Sequence, residues 1–284
     1  MTVKKYFSLV KFAHTVFAAP FAMIGYFLGA VYAGAGFSWL TFLPVILCMV
    51  FARNAAMGFN RYADRLIDAK NPRTGQREIP SGIIRPEAAL AFVMVNAVAF
   101  VAACRFLNPT VFYLSPVALL VVLGYSLTKK YTALCHFVLG IGLSLAPVGA
   151  YLAVTGTFAR LPLMFSLVVL LWSGGFDIIY ALQDEDFDVR ERLHSIPAWL
   201  GIRRALIVSS VVHALAGILV VLIGISWNFG ICYATGAAIF LFLLLYQHLI
   251  VQPDDLSRVN AAFFTSNGIA SAVFATFTVL DLFL

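Results

Sequence analysis

The stretch LPLMFSLVVLLWSGGFDIIYALQDEDFD, residues Leu161 to Asp188, decides the fold. Its first part, Leu161–Leu182, carries a single charge, Asp177, and is long enough to cross a bilayer, which takes about 20 mainly apolar residues. The remainder turns acidic at once, with Asp184, Glu185, Asp186 and Asp188. Eight further stretches read as spans: Val16–Ala33, Leu40–Phe59, Ala88–Phe106, Thr110–Leu127, Ala133–Val154, Ala205–Ile225, Gly230–Val251 and Ala261–Leu284. The 284 residues are 62% hydrophobic and 11% charged, with a mean hydropathy of +0.94. A soluble domain is about 45–50% apolar and about 25% charged. So few charges cannot cover so much apolar surface in water. The sequence therefore predicts an all-α, polytopic membrane bundle of nine transmembrane helices, one domain over residues 1–284. The first apolar run exceeds the roughly 7–15-residue core of a signal peptide and reads as a span.

The charges fall on one side. Lys4, Lys5 and Lys11 precede the first span. Arg61, Arg65, Lys70, Arg73, Arg77 and Arg85 lie between the second and third, and Lys129 and Lys130 between the fourth and fifth. Arg190, Arg192, Arg203 and Arg204 follow the sixth, and Arg258 the eighth. Of 19 basic residues, only Arg105 and Arg160 fall on the far side. An excess of Lys and Arg marks the cytoplasmic loops, so the N-terminus is expected in the cytoplasm and the chain in the inner (cytoplasmic) membrane. The acids share the asymmetry, with only Asp281 on the far side, which places any chemistry at the cytoplasmic face. The net charge of +6 is thus topological, and no nucleic-acid partner is expected. The four cysteines, Cys48, Cys104, Cys135 and Cys232, stand singly in apolar runs, without metal or disulfide spacing.

Asn60, Asp64 and Asp68 repeat every four residues, which stacks three oxygen-bearing side chains on one helix face. Asp184 and Asp188 repeat the step, with Asp177 seven residues earlier. An ionisable residue within an apolar span is a functional candidate by default. Like-charged clusters repel unless a cation joins them, and hard oxygen ligands suit Mg²⁺, which commonly shares carboxylates with substrate phosphates. Asn60, Asp64, Asp68, Asp184 and Asp188 are the expected metal set. Tyr125 and Lys129, one turn apart, can both donate to a diphosphate oxygen. The loop Asn71–Gly82 carries Arg73 and Arg77, whose forks match phosphate geometry. Arg53 lies about 10 Å deeper than Asn60 on the same face and needs a partner, either Asp177 or a substrate carboxylate. Tyr180, within the second cluster, joins the binding candidates. The two clusters stand four spans apart, which hints at a four-helix repeat. His14, His136, His194, His213 and His248 form no metal set, and Asn267 reads as a helix–helix hydrogen-bonding residue.

Together these pieces resemble the UbiA family of membrane prenyltransferases over most of the chain. Asn60, Asp64 and Asp68 fit its first aspartate motif. Asp177, Asp184 and Asp188 fit its second, and Tyr125 and Lys129 its YxxxK motif. The resemblance implies nine helices around a central cavity, with both aspartate motifs over its cytoplasmic mouth. Val10-Lys11-Phe12, Pro20-Phe21-Ala22, the Asn71–Gly82 loop and Leu193-His194-Ser195-Ile196-Pro197 are most similar to the 4-hydroxybenzoate polyprenyltransferase branch. The first motif reads Asn60-Arg61 where many ubiquinone-pathway members have Asn-Asp. The expected reaction is Mg²⁺-dependent transfer of a polyprenyl group from its diphosphate to an aromatic acid such as 4-hydroxybenzoate in quinone biosynthesis, with Asp64, Asp68, Asp184, Asp188 and Lys129 as catalytic residues. The alternatives are prenylation of another aromatic acid in a menaquinone pathway and, from a different class, an anion transporter. A transporter would place its charges near the bilayer midplane, whereas here they crowd one face.

Overall fold

The computed structural model describes residues 2–10 and 17–284. Lys11, Phe12, His14 and the first residue of the expected first span, Val16, lie outside the described residues. The elements in order are α1 (Thr2–Leu9), α2 (Ala19–Phe27) with a π turn (Leu28–Tyr32), α3 (Trp39–Ala63), α4 (Arg65–Asp68), α5 (Pro86–Cys104), α6 (Pro109–Thr128) and α7 (Cys135–Thr155). They continue with α8 (Arg160–Ala181), a 3₁₀ turn (Leu182–Asp184), α9 (Glu185–Arg190), α10 (Ile196–Leu200), α11 (Ile202–Ser226), α12 (Ile231–Ile250), a second π turn (Ala261–Ser266) and α13 (Asn267–Asp281). Among the described residues the only extended pairing is an isolated bridge between Gln252 and Asp255. The chain is a multi-pass membrane protein.

Helix ends follow local chemistry. Ser38 caps α3 by accepting from Leu40 N. Asn108 caps α6 by accepting from Val111 N at 3.0 Å, and Pro109 fills the first turn, where a missing N–H costs nothing. Gly156 ends α7 in the left-handed region, φ 72°. Asp281, the acid expected on the far side, accepts from Gly230 N at 2.7 Å and Tyr233 N at 3.1 Å and so completes the start of α12.

Eight helices among the described residues are long and apolar enough to cross a membrane. The first expected span appears as Ala19–Tyr32. At 1.5 Å per residue it is about 21 Å long, shorter than the hydrocarbon core of about 30 Å. Large apolar side chains face outward, among them Leu40, Phe106, Leu120 and Ile231. In water such a surface would drive association; in lipid it is the ordinary exterior. Inside, Trp172, Phe21, Phe165, Phe176, Phe240 and Phe274 form the largest core cluster. Helices close on one another through small residues, as expected where van der Waals contact drives association. A Cβ on Gly25 of α2 would stand 2.0 Å from Pro147 O of α7, and one on Gly175 of α8 would meet the His213 ring of α11. Asn267 ties three helices at full burial: its Oδ1 accepts from Trp172 Nε1 at 2.8 Å and from Gln247 Nε2 at 2.9 Å.

Candidate active site

Both acidic motifs sit where a long helix breaks and a short one follows. α3 ends at Ala63, Asp64 leaves helical geometry (φ −92°, ψ 0°), and α4 begins at Arg65. The chain nevertheless keeps its i to i+4 bonds across the break, Asp64 N to Asn60 O and Asp68 N to Asp64 O. The expected one-face stacking of Asn60, Asp64 and Asp68 is therefore kept with a kink at its middle member. In the second motif α8 tightens into the 3₁₀ turn that carries Asp184, and α9 carries Asp188.

The loop between α4 and α5 joins the two motifs. Arg73 sends Nε to Asp184 Oδ1 at 3.0 Å and Nη2 to Oδ2, a bidentate fork, while its Nη1 donates to Tyr180 Oη at 2.9 Å. Asn71 Nδ2 adds a third donor to Asp184 Oδ1 at 2.9 Å. Arg77 Nη1 holds both oxygens of Asp68, at 2.7 and 2.8 Å. Lys70 reaches Glu191 at 2.6 Å. Tyr180 is fixed from behind by stacking on Phe263, with centroids 4.2 Å apart. Lys129, just past α6, meets Asp188 at 2.7 Å. The Asp188 side chain is fully buried, and Ser195 Oγ donates to its other oxygen at 2.9 Å. His194 contributes its backbone N–H to Lys129 O.

The electrostatics separate one acid from the others. Asp68, Asp184 and Asp188 each hold a cation within 2.7 Å. Asp64 has none within ion-pair distance among the described residues, and its hydrogen-bond partner is the neutral Asn60 amide at 3.1 Å. Burial, reinforced by the like charge of Asp68, pushes the Asp64 carboxyl up to about 6. Burial opposes the Lys129 ammonium, but the Asp188 carboxylate more than offsets it, and its pKa stands above the usual lysine value. The same balance, burial against Asp184, leaves the Arg73 guanidinium raised.

Deeper in the bundle, Asp177 Oδ2 lies 2.7 Å from His136 Nδ1. Arg53 Nη2 stands 3.5 Å from Val10 O, and Tyr125 lies within electrostatic reach of Arg53, Asp64 and Asp177. Of the two partners expected for Arg53, Asp177 is engaged by His136. Sequence reasoning missed His136, Asn71, Ser195 and the buried Arg61, which is 4% exposed and faces Asp68 and Glu78. Asn71 and Ser195 had a local signal, since each opens or adjoins a motif already singled out. The pairing of His136 with Asp177 had none, because it spans 41 residues.

No three acidic, histidine or cysteine side chains among the described residues gather into a ready metal site. The donor chemistry nevertheless fits a hard divalent cation. The half-buried Asp64, with no cation in ion-pair reach and only the Asn60 amide N–H donating to it, is the group such an ion would relieve. The other expected ligands, Asp68, Asp184 and Asp188, are covered by arginine or lysine, each of which can turn to phosphate.

Known proteins are similar to this chain in sequence and in fold. The sequence model of the UbiA prenyltransferase family matches residues 19–268. The chain is 27% identical over 241 residues to a 4-hydroxybenzoate octaprenyltransferase of Aliivibrio fischeri (strain MJ11), covering 83% of this chain and 82% of that protein. It is 29% identical over 237 residues to one from Burkholderia ambifaria, covering 84% and 81%. The apo structure of a UbiA homolog from Aeropyrum pernix K1 superposes with a TM-score of 0.85 at 29% identity, over 94% of this chain and 98% of that one. A UbiA homolog from Archaeoglobus fulgidus bound to GPP and Mg²⁺ shares the fold, with a TM-score of 0.75 at 18% identity over 99% and 100%. On the family match, and on two aspartate motifs brought together at one end of a helical membrane bundle, the chain belongs to the UbiA prenyltransferase family.

Proposed function

We propose that this protein transfers a polyprenyl group from polyprenyl diphosphate to an aromatic acid such as 4-hydroxybenzoate, releasing diphosphate, in quinone biosynthesis. The observation that carries the reading is the meeting of the two acidic motifs beneath Arg73, Arg77 and Lys129. Acids and fixed cations in this arrangement suit a Mg²⁺–diphosphate pair and little else. The relatives named for octaprenyl transfer to 4-hydroxybenzoate support the acceptor class.

Asn60, Asp64, Asp68, Asp184 and Asp188 would hold Mg²⁺, which when bound supplies Lewis acidity toward the leaving diphosphate. Lys129, Arg73 and Arg77 place positive charge and N–H donors where negative charge grows on the leaving group. Their present partners are carboxylates, so each cationic head is already oriented and needs only to exchange one anion for another. Tyr180 and Asn71 hold Arg73 and Asp184 in register. Tyr125 donates from the cavity side, and Arg53 orients the acceptor carboxylate. The apolar walls exclude water that would quench an allylic cation. The one-sided distribution of basic residues supports a cytoplasmic active site in the inner membrane.

The acceptor is tested by offering the purified protein a polyprenyl diphosphate, Mg²⁺ and two acids in turn, 4-hydroxybenzoate and a hydroxynaphthoate of the menaquinone type. Faster prenylation of the benzoate is the expected result. Transfer to the naphthoate alone would move the protein to the menaquinone pathway.

A further inference from the structure

Prenyl transfer to an aromatic ring releases a proton, and none of the groups assigned so far receives it. The allylic C–O bond breaks with its electron pair leaving on the diphosphate, and a ring π pair forms the new C–C bond. Aromaticity returns when the C–H bond at the attacked carbon breaks. Its pair goes back into the ring and the proton passes to a base. That base must lie beside the acceptor ring, deeper than the diphosphate, and must not be neutralised by a cation.

Asp68, Asp184 and Asp188 fail the last condition, each holding an arginine or lysine, and Asp64 belongs to the metal set. Asp177 meets all three. Seven residues before Asp184, it sits about 10 Å deeper along α8, the same offset that separates Arg53 from Asn60. Its side chain keeps 23% exposure, although the neighbouring Phe176 and Ile178 are 2% and 0% exposed, and it lies within electrostatic reach of Tyr125, as Arg53 does. One oxygen, Oδ2, is held by His136 Nδ1 at 2.7 Å, and Oδ1 has no hydrogen-bond partner among the described residues. His136 is itself fixed. Its Nε2 accepts from Ile196 N at 3.2 Å and so carries no hydrogen, which leaves Nδ1 as the N–H donor. The imidazole is thereby a neutral orienting group, not a counter-ion. Ile196 follows Ser195, which binds Asp188, so one turn steadies both the deep acid and the leaving-group end.

We infer that Asp177 Oδ1 accepts the ring proton and that His136 is the positioning residue that aims it. The inference rests on the prenyl-transfer reading above. After product leaves, the proton returns to water.

The test compares acceptor carrying hydrogen with acceptor deuterated at both ring positions ortho to the hydroxyl, in the wild type, Asp177→Asn, His136→Phe and His136→Asn. Mg²⁺-dependent binding of the prenyl diphosphate is measured on each. Asp177→Asn is expected to lose about 100-fold or more in kcat, the usual weight of a general base. It should gain a primary isotope effect larger than that of the wild type, because proton removal then limits the rate, and it should bind the diphosphate as the wild type does. His136→Phe should show a smaller loss with the same isotope effect. His136→Asn, which restores a donor near Nδ1, should recover part of it. Undiminished turnover by Asp177→Asn, a loss of turnover with no isotope effect, or a loss of diphosphate binding in step with activity would each overturn the assignment while leaving prenyl transfer standing. A folded wild type that prenylates no aromatic acid would overturn both.

Discussion

Arg73 and Asp184 stand 111 residues apart in sequence and are joined by a bidentate fork, which ties the loop after the first motif directly to the second. The guanidinium also reaches Tyr180, with Cζ 5.1 Å from the ring centroid and Nη1 donating to the phenol oxygen. Arg73→Lys keeps the charge but loses the fork. It is expected to raise the KM for prenyl diphosphate and to lower kcat/KM about tenfold or more, as one lost charge-assisted donor does. Steady-state kinetics with the donor varied checks this, and an unchanged KM would exclude phosphate contact by Arg73.

Asp64 gives the site a pH dependence of definite sign. Its carboxyl titrates at about 6 in the fold against an ordinary 3.8. Between those values the metal-free folded protein binds a proton that the unfolded chain has released. Stability therefore falls as the pH rises through that window. Melting curves in detergent with a chelator should show this slope, and Asp64→Asn should flatten it. Proton and Mg²⁺ compete for the same oxygens, so the apparent Mg²⁺ affinity of the wild type should weaken as the pH drops through about 6. A pH-independent affinity would contradict the role of Asp64.

Lys129 is the counter-charge of a fully buried carboxylate, Asp188. Lys129→Met leaves that charge with Ser195 alone. Breaking such a pair costs about 3–5 kcal/mol, and partial exposure of Lys129 puts the expected loss at the lower end. Thermal unfolding in detergent measures it. The double variant Lys129→Met, Asp188→Asn should recover stability without recovering activity, which separates the structural contribution of the pair from its chemical one.

Asn267 serves structure only. Asn267→Leu strands the Trp172 indole N–H and the Gln247 amide in the bundle, at an expected cost of about 1–2 kcal/mol. Diphosphate binding at a permissive temperature should be unchanged. A selective loss of binding would show that this network shapes the cavity.

The helical membrane fold was legible because the lipid solvent leaves a strong imprint: long apolar runs, with basic residues on one side. The motif residues were legible because Asn60, Asp64 and Asp68, like Asp184 and Asp188, obey a local four-residue period. Helix irregularities were not. The kink at Asp64 and the 3₁₀ turn at Leu182–Asp184 leave no periodic trace, and the short Ala19–Tyr32 helix was hidden in a longer apolar run. Partnerships across the chain were also illegible. Nothing in the spacing pairs Arg73 with Asp184 or His136 with Asp177, since both depend on how α7, α8 and the α4–α5 loop dock. Arg61 reads as one more topogenic charge until its burial beside Asp68 and Glu78 is seen.

The most direct measurement is transfer of a polyprenyl group to labelled 4-hydroxybenzoate by membranes containing the protein, with Mg²⁺, beside an Asp64→Ala control. Labelled prenylated product from the wild type, abolished by chelation and by the substitution, is the predicted result. A verified folded sample that forms no product with any aromatic acid, and binds prenyl diphosphate no better with Mg²⁺ than without it, would contradict the account.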